Sequence, residues 1–584
     1  MSKQTRREFL KKIGIAASFS VLSSRAEISQ AVVADQKRPN VIVIMTDDQG
    51  YGDFSCHGNP VLKTPNLDIL HGQSVRLTDF HVAPMCTPTR SQLMSGLDAL
   101  RNKARYVSGG LDMLRTDVPT MADIFKADGY RTGIFGKWHL GDNYPYLPQN
   151  RGFEEALYHK SWGITSAAAY WGNDYFDDVF YHNGELKKYD GYCNDVWFQE
   201  ASKWIKERAK KKETFFCYLP TNTPHGPLLV PDKYAEPYKE YGSRANFFGM
   251  IANIDETMGK LMQTLDEIGI ADNTILIFLT DNGGAGGVKI FNSGMRGKKR
   301  SPYDGGHRAA CFIRWPNGGL KHGSDIDELT TCQDVLPTLI DLCGFRYSIN
   351  AEFDGVSLAP LLRGTEKTLS DRMIVVQYSI DISKFKGAVM WKKWRLVEGT
   401  ELYNVADDPG QKQNVADKHP EIVKKMRDHY ERWYAQVKPI ADDPCLVHIG
   451  TRYENPVDLT CAQWYMVYAD NRKHLKGGKN SYWNVLVDRD GEYEFTLSRY
   501  AIEADTAMDA PLMIRDYEVK ALPVASARMK INEFDDKKPV ISGQKTVTFK
   551  VKLKAGKTRL HTWLYDDSGK ELCGAYYARA KYLG

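Results

Sequence analysis

Polar and apolar positions fall into two regimes along the chain. Asn40–Thr46 (N-V-I-V-I-M-T) and Thr274–Thr280 (T-I-L-I-F-L-T) are continuous apolar, largely β-branched runs. That is the pattern of strands buried on both faces of a parallel sheet. Gly133–Gly136, Phe215–Leu219 and Ala310–Trp315 predict further strands. Helical spacing predicts helices at about Thr120–Asp128, Val196–Lys210, Phe247–Leu265 and Gln333–Leu342. The alternation implies an α/β fold, a mixed but mostly parallel sheet sandwiched by helices.

From about Lys384 the texture changes. Val389–Glu398 and Glu401–Asn404 read as antiparallel strands and Pro420–Val437 as a helix, which together make a small α+β subdomain. After the Pro/Asp-rich break Lys438–Pro444, the segments Tyr482–Val487, Tyr493–Leu497, Thr546–Leu553 and Arg559–Tyr565 alternate with turn signals at Asp490-Gly491 and Asp567–Gly569. No long helical pattern interrupts them, so this stretch reads as an all-β sandwich accessory domain. The expected organisation is a leader over 1–34, a large α/β domain over 35–383, the small antiparallel-sheet subdomain over 384–440 and the sandwich over 445–584. A chain of 584 residues is long enough for more than one core.

Composition is that of an ordinary folded enzyme, 26% charged and 42% hydrophobic. The formal charge of +5 gives no case for nucleic acid. Lys3, Arg6, Arg7, Lys11, Lys12 and Arg25, set against Glu8 and Glu27, supply most of the surplus. Those residues belong to T-R-R-E-F-L-K-K, followed by the apolar run Ile13–Leu22 and by Ala31-Val-Val-Ala34. The pattern predicts a twin-arginine export leader cleaved after Ala34, hence a bacterial protein carried folded by the twin-arginine machinery to the periplasm or beyond. The run is too short for stable membrane insertion, which needs roughly 20 apolar residues. Ten cysteines form no C-x-x-C pair, which argues against a disulfide framework or zinc site.

Two strand ends carry acidic or amide oxygens: Asp47-Asp48 after the first run and Asp281-Asn282 after the second. In a parallel sheet these ends share one edge, where ligands bind. Four oxygen donors without histidine suit Ca²⁺ or Mg²⁺. Either pair alone reads equally well as a helix cap or Asx-turn. Cys86-Thr87-Pro88-Thr89-Arg90 places a cysteine just before a proline suited to a first helical turn, where the helix dipole favours an anion. On these residues alone Cys86 is a buried structural cysteine or a thiolate nucleophile with a histidine base.

C-T-P-T-R resembles the C-x-P-x-R signature of the type I, formylglycine-dependent sulfatase family of the alkaline-phosphatase-like superfamily. N-V-I-V-I-M-T-D-D-Q-G-Y-G-D, G-Y-R-T-G-I-F-G-K-W-H-L-G, T-P-H-G-P, T-D-N-G-G and R-G-K-K-R-S-P-Y-D-G-G-H-R follow in that family's order, with E-L-Y-N-V-A-D-D-P-G-Q-K-Q-N-V-A-D later. The likeness covers roughly residues 38–437. It implies a sulfuric-ester hydrolase in which a sulfatase-maturating enzyme converts Cys86 to 3-oxoalanine (formylglycine). It implies one Ca²⁺ held by Asp47, Asp48, Asp281 and Asn282, with the modified Cys86 near the metal. Arg90 and Lys137 would hold the hydrate and the sulfate, His225 and Lys299 would serve the leaving group, and His139 would deprotonate the hydrate.

Thr87 and Thr89 replace commoner small residues within the signature. Leu97 stands where many relatives carry arginine, before D-A-L-R-N with Arg101, and His307 replaces a common aliphatic. The segment Trp162–Asp178, with Trp171 and Asp174, reads either as a sugar-binding wall or as a core aromatic cluster. Arg101, Trp171, Asp174 and His307 are therefore the candidate substrate residues. The resemblance is to a bacterial carbohydrate-sulfatase branch and implies a sulfated sugar or oligosaccharide, with galactose or N-acetylgalactosamine sulfated at O4 as the candidate. Two other readings stand beside it: a phosphomonoester or phosphodiester hydrolase of the same superfamily, and a catalytically silent carbohydrate-binding protein in which Cys86 stays a thiol.

Overall fold

The two long apolar runs form adjacent parallel strands at the centre of a ten-stranded mixed sheet. The computed structural model describes residues 38–345 and 351–584, so the leader assigned to 1–34 and its cleavage point lie outside the described residues. Four central strands are parallel: β1 (Asn40–Thr46), β2 (Arg131–Lys137), β3 (Phe215–Pro220) and β4 (Thr274–Thr280), in the spatial order β4-β1-β3-β2. All of β4 is buried and all of β1 beyond its first residue, as an unbroken apolar run requires when helices cover both faces. Cys311–Arg314 joins β4 antiparallel, which makes the sheet mixed.

Helices Met121–Ala127, Cys193–Lys210, Ala245–Glu267 and Val335–Leu342 answer the predicted ones to within a few residues. Two apolar clusters form the core, one holding Val41, Val43 and Met45 and the other Ile42 and Ile44. Successive β1 side chains therefore serve opposite faces.

In the small sheet Val389–Glu398, expected as one strand, is instead a hairpin of Gly387–Trp391 and Trp394–Val397; Glu401–Asn404 pairs with its second arm as expected, and Ile374–Gln377 with its first. Its helix runs Pro420–Ala441, through Pro439, so the break begins a full turn later than the composition suggests. Beyond it lie a sheet built on Tyr482–Val487 and Gly556–Tyr565 and another built on Gly491–Ser498 and Tyr577–Tyr582. Trp483 and Val485 of the first share a buried cluster with Phe495 and Ala578 of the second. Met113, Tyr146 and Ala167 of the α/β region enter the same cluster. Residues 38–584 accordingly pack as one unit. No helix among the described residues is long and apolar enough to cross a membrane.

Candidate active site

Sheet register brings the acidic pairs together. Thr46 stands opposite Thr280, so the next residues on each strand, Asp47-Asp48 and Asp281-Asn282, emerge side by side. The Asp281 N–H donates to the Thr46 carbonyl at 3.1 Å and the Asp48 N–H to Asp281 Oδ1 at 3.1 Å. Asp48 holds a left-handed φ of 72°, the kind of backbone strain that accompanies functional sites. β2 ends at the same edge and delivers Lys137, whose Nζ donates to Asp47 Oδ2 at 2.7 Å. Gly136 precedes it because a Cβ there would lie 2.0 Å from the Pro220 carbonyl oxygen, so only glycine lets β2 and β3 approach. The loop after β3 brings His225 Nε2 to 3.8 Å from Asp48 Oδ2.

Helix α1 (Cys86–Ser95) is buried throughout and points its N-terminus into this group. Cys86 and Arg90, four residues apart, share a helix face. Arg90 Nη2 donates to Asp281 Oδ2 at 3.0 Å and Nη1 to the Lys137 carbonyl at 3.1 Å. Cys86 Sγ and carboxylate oxygens of Asp47 and Asp281 all lie within 4.8 Å of one another. Lys299 Nζ donates to Asp48 Oδ1, which also accepts from Asn282 Nδ2 at 3.1 Å. All ten residues that the sequence assigns to metal and catalysis, from Asp47 to Lys299, thus converge, His139 through a neighbour: its Nε2 faces the Val107 carbonyl at 2.9 Å, and the Thr87 hydroxyl lies 2.9 Å from Nε2 and 3.1 Å from Nδ1.

Burial and crowding of like charge explain the electrostatics. Burial raises Asp281, and Asp47 beside it adds to this, so its carboxyl stands at about 7. Burial also works on Asp47, but Lys137, His225, Arg90 and Lys299 outweigh it and hold that carboxyl far below the usual range. Burial pushes the Cys86 thiol up despite Lys137 and Lys299. A resting thiolate nucleophile is therefore disfavoured, since the thiolate is the reactive form. His139 and His225 are both lowered, chiefly by burial, and are neutral near pH 7.

The donor set fits a hard divalent cation. Asp47 Oδ1 and Asn282 Oδ1 are buried and accept no hydrogen bond, although buried oxygens are otherwise paired. With Asp48 and Asp281 they offer oxygens only, the preference of Ca²⁺.

The centre opens into a cavity of about 880 Å³. Asp48, Cys86, His225 and Lys299 face it, as does Trp162 from the segment read as a sugar wall. Arg101, Trp171, Asp174 and His307 do not line it. Arg101 pairs with Asp354 and Glu352. Trp171 lies under Arg472, the guanidinium 4.6 Å from its ring centre, and Asp174 faces Arg515. His307 is fully buried against His81, Nδ1 to Nδ1 at 2.9 Å, in a network with Asp79, Asp304 and Arg395. Sequence reasoning missed Arg300 and the cavity residues Tyr468, Arg472, Lys473 and Arg515 of the β region. Arg300 lies inside the motif R-G-K-K-R-S-P-Y-D-G-G-H-R but carries no assigned role there, whereas no local motif marks the β-region residues, which only tertiary packing brings here.

The sequence model of the family described as Sulfatase matches residues 39–345, more than half of the chain. This chain belongs to the sulfatase family. The model described as N-sulphoglucosamine sulphohydrolase, C-terminal, matches residues 296–436 of this sulfatase, so both models end before the β region. Arylsulfatase J of Mus musculus is 25% identical over 519 residues, covering 78% of this chain and 84% of its own. An ulvan-active sulfatase of Formosa agariphila is 28% identical over 454 residues, covering 70% and 83%. The crystal structure of Ps i-CgsB in complex with k-i-k-neocarrahexaose superposes with a TM-score of 0.63 at 26% identity, covering 68% of this chain and 92% of its own. The fold is the alkaline-phosphatase-like one, and the protein is a sulfatase enzyme.

Proposed function

We propose that this sulfatase removes sulfate from a sulfated carbohydrate outside the bacterial cytoplasm, by way of a formylglycine made from Cys86 and one Ca²⁺. The observation that carries the reading is the convergence on one sheet edge of a buried cysteine at a helix N-terminus, four oxygen donors and three cations. Once made by a maturating enzyme, formylglycine supplies, as its hydrate, the nucleophile for sulfur. Asp47, Asp48, Asp281 and Asn282 would hold the Ca²⁺, which would supply positive charge to the sulfate as a Lewis acid.

The chain's own groups do the rest. Arg90 and Lys137 hold residue 86 and the sulfate in line and offset charge as it develops. Asp47 anchors Lys137, and Asp281 anchors Arg90, so neither cation has to reorganise during reaction. Lys299 and the nearby His225 stand on the leaving-group side, where a departing sugar oxygen needs a proton, and Lys299 carries one over the working pH range because Asp48 stabilises its charge. His139, neutral and oriented by Thr87 and Val107, accepts the proton that must leave residue 86 before sulfate is expelled.

The carbohydrate reading is supported by the names of two relatives, the ulvan-active sulfatase and the neocarrahexaose complex. Within it we place an end-group galactose or N-acetylgalactosamine sulfated at O4. Residues 1–34 act as the twin-arginine leader, which puts the enzyme in the periplasm or outside the cell. Residues 35–383, 384–440 and 445–584 are the catalytic domain, its small subdomain and the accessory sandwich. The test is sulfate release from galactose, N-acetylgalactosamine and glucosamine each sulfated at a single defined position. Highest turnover on a galacto-configured 4-sulfate supports the assignment, and preference for a gluco-configured 6-sulfate overturns it while leaving the sulfatase in place.

A further inference from the structure

The cavity over the reaction centre carries more positive charge than one sulfate ester needs. Five cationic side chains line it, Lys299, Arg300, Arg472, Lys473 and Arg515, against the carboxylates of Asp48 and Asp516. Lys299 is matched by Asp48 within the centre, and Arg515 by Asp174, whose Oδ2 lies 3.7 Å away. Among the described residues Arg300, Arg472 and Lys473 have no carboxylate within ion-pair distance.

Arg472 is the informative one. It is 7% exposed, yet its partners are neutral: Nε donates to the Ser166 carbonyl at 3.1 Å, Nη2 to the Tyr170 carbonyl at 3.0 Å, and the guanidinium stacks over Trp171. A buried cation without a counter-charge is costly and is held by its surroundings for a reason. These contacts fix the plane of the fork and leave Nη1 without a protein acceptor. Arg300 is exposed and held at a φ of 77° by its N–H donating to the Pro84 carbonyl at 2.9 Å, a strained backbone for an arginine. Lys473 is exposed, with its ammonium 5.3 Å from the Tyr517 ring centre.

We propose that Arg300, Arg472 and Lys473 form a second anion subsite in the cleft, which takes a sulfate or carboxylate on a sugar adjoining the ester being cleaved. The inference rests on the sulfatase reading of the centre and narrows its substrate to oligosaccharides carrying at least two anionic groups. Planar, fixed guanidinium forks suit oxyanions of either kind. Arg472 and Lys473 come from the β region, beyond both family models, so the accessory sheets supply specificity to a reaction centre they do not build.

The test uses hydrolysis of 4-nitrophenyl sulfate by the full-length, matured enzyme as reporter and measures its competitive inhibition by size-matched sulfated oligosaccharides. The panel pairs a sulfated end sugar with a neutral neighbour, a neighbour bearing a second sulfate, or a neighbouring uronate, and so separates the two anion sources. The inference predicts inhibition constants lower by about tenfold for at least one two-anion class. It also predicts that this ratio collapses in Lys473→Ala and in Arg300→Ala, both at exposed side chains, and persists in Lys473→Arg. Equal inhibition by one-anion and two-anion sugars, or a preference that survives in the Arg300→Ala, Lys473→Ala double variant, overturns the subsite. Failure of the matured enzyme to release sulfate from the aryl ester and from every sugar of the panel overturns the reading of the reaction centre on which the inference rests.

Discussion

Asp281 is the residue on which the proposed metal site turns. Its two oxygens already serve Arg90 and the Asp48 N–H, and burial beside Asp47 raises its carboxyl to about 7, so a divalent cation relieves an unfavourable concentration of negative charge. Asp281→Ala removes a ligand and also strands Arg90. Wild-type melting temperature is expected to climb with added Ca²⁺, because a ligand that binds only the folded state stabilises it by mass action. In Asp281→Ala that response is expected to vanish and sulfate release to fall by about 10²-fold or more. A calcium response that persists in the variant places the cation elsewhere. At this scale the sequence was legible where motifs are local: Asp47-Asp48, Cys86 with Arg90, and Lys137 each sit where the strand or helix reading put them. Arg101 and His307 illustrate the limit. Each adjoins a motif in sequence, but Arg101 turns to Asp354 and His307 to His81, partners that no local pattern reveals.

Among the elements, the short helix Ala99–Asn102 offers a test that is independent of catalysis. Its cap, Asp98, is buried and accepts from the Leu100 N–H at 2.8 Å, while its own N–H binds Asp354 Oδ2 at 2.7 Å. Burial, with Asp354 second, raises this carboxyl from 3.8 to about 7. A carboxyl raised in the folded state binds its proton more tightly there than in the unfolded chain, so its contribution to stability declines as pH rises from about 4 through about 7. Asp98→Asn keeps the capping oxygen and removes the buried charge. The variant is expected to match wild type near pH 4 and to be the more stable by on the order of 1 kcal/mol near pH 8. Thermal unfolding at the two pH values measures it, and a variant no more stable at the higher pH contradicts the account. Unbroken apolar runs made β1 and β4 readable to the residue. The edge strands Val179–His182 and Glu185–Lys188, half-buried or exposed for most of their length, carry no such signal and went unread. The helix ending at Ala441 outran its expected stop by running through Pro439, at the loss of the hydrogen bond that residue's N–H would have given.

In the whole molecule the α/β and β regions are joined by more than a linker. Tyr144 N–H donates to Glu454 Oε2 at 2.6 Å, Ala167 N–H to the Asp470 carbonyl at 2.7 Å, and Gly109 N–H to the Ala462 carbonyl at 2.7 Å. Met113, Tyr146 and Ala167 fill part of the sandwich's own core. Residues 38–584 are therefore expected to unfold in a single calorimetric transition, with truncation after residue 444 exposing apolar surface and lowering the melting temperature sharply. Two well-separated transitions, or a truncated chain as stable as the whole, contradict the shared core. The sandwich was legible from its alternating strands, yet its docking was not, because period-two patterning states which face is buried and not what covers it.

The central claim is that sulfate release depends on a Cys86 that is no longer a thiol. It is tested most directly by the mass of the tryptic peptide Leu77–Arg90 from enzyme that is releasing sulfate. The account predicts that this peptide has lost H₂S and gained oxygen relative to its encoded sequence, the exchange of a thiol-bearing methylene for an aldehyde, in proportion to specific activity. Full activity from enzyme whose peptide retains an unmodified Cys86 contradicts it.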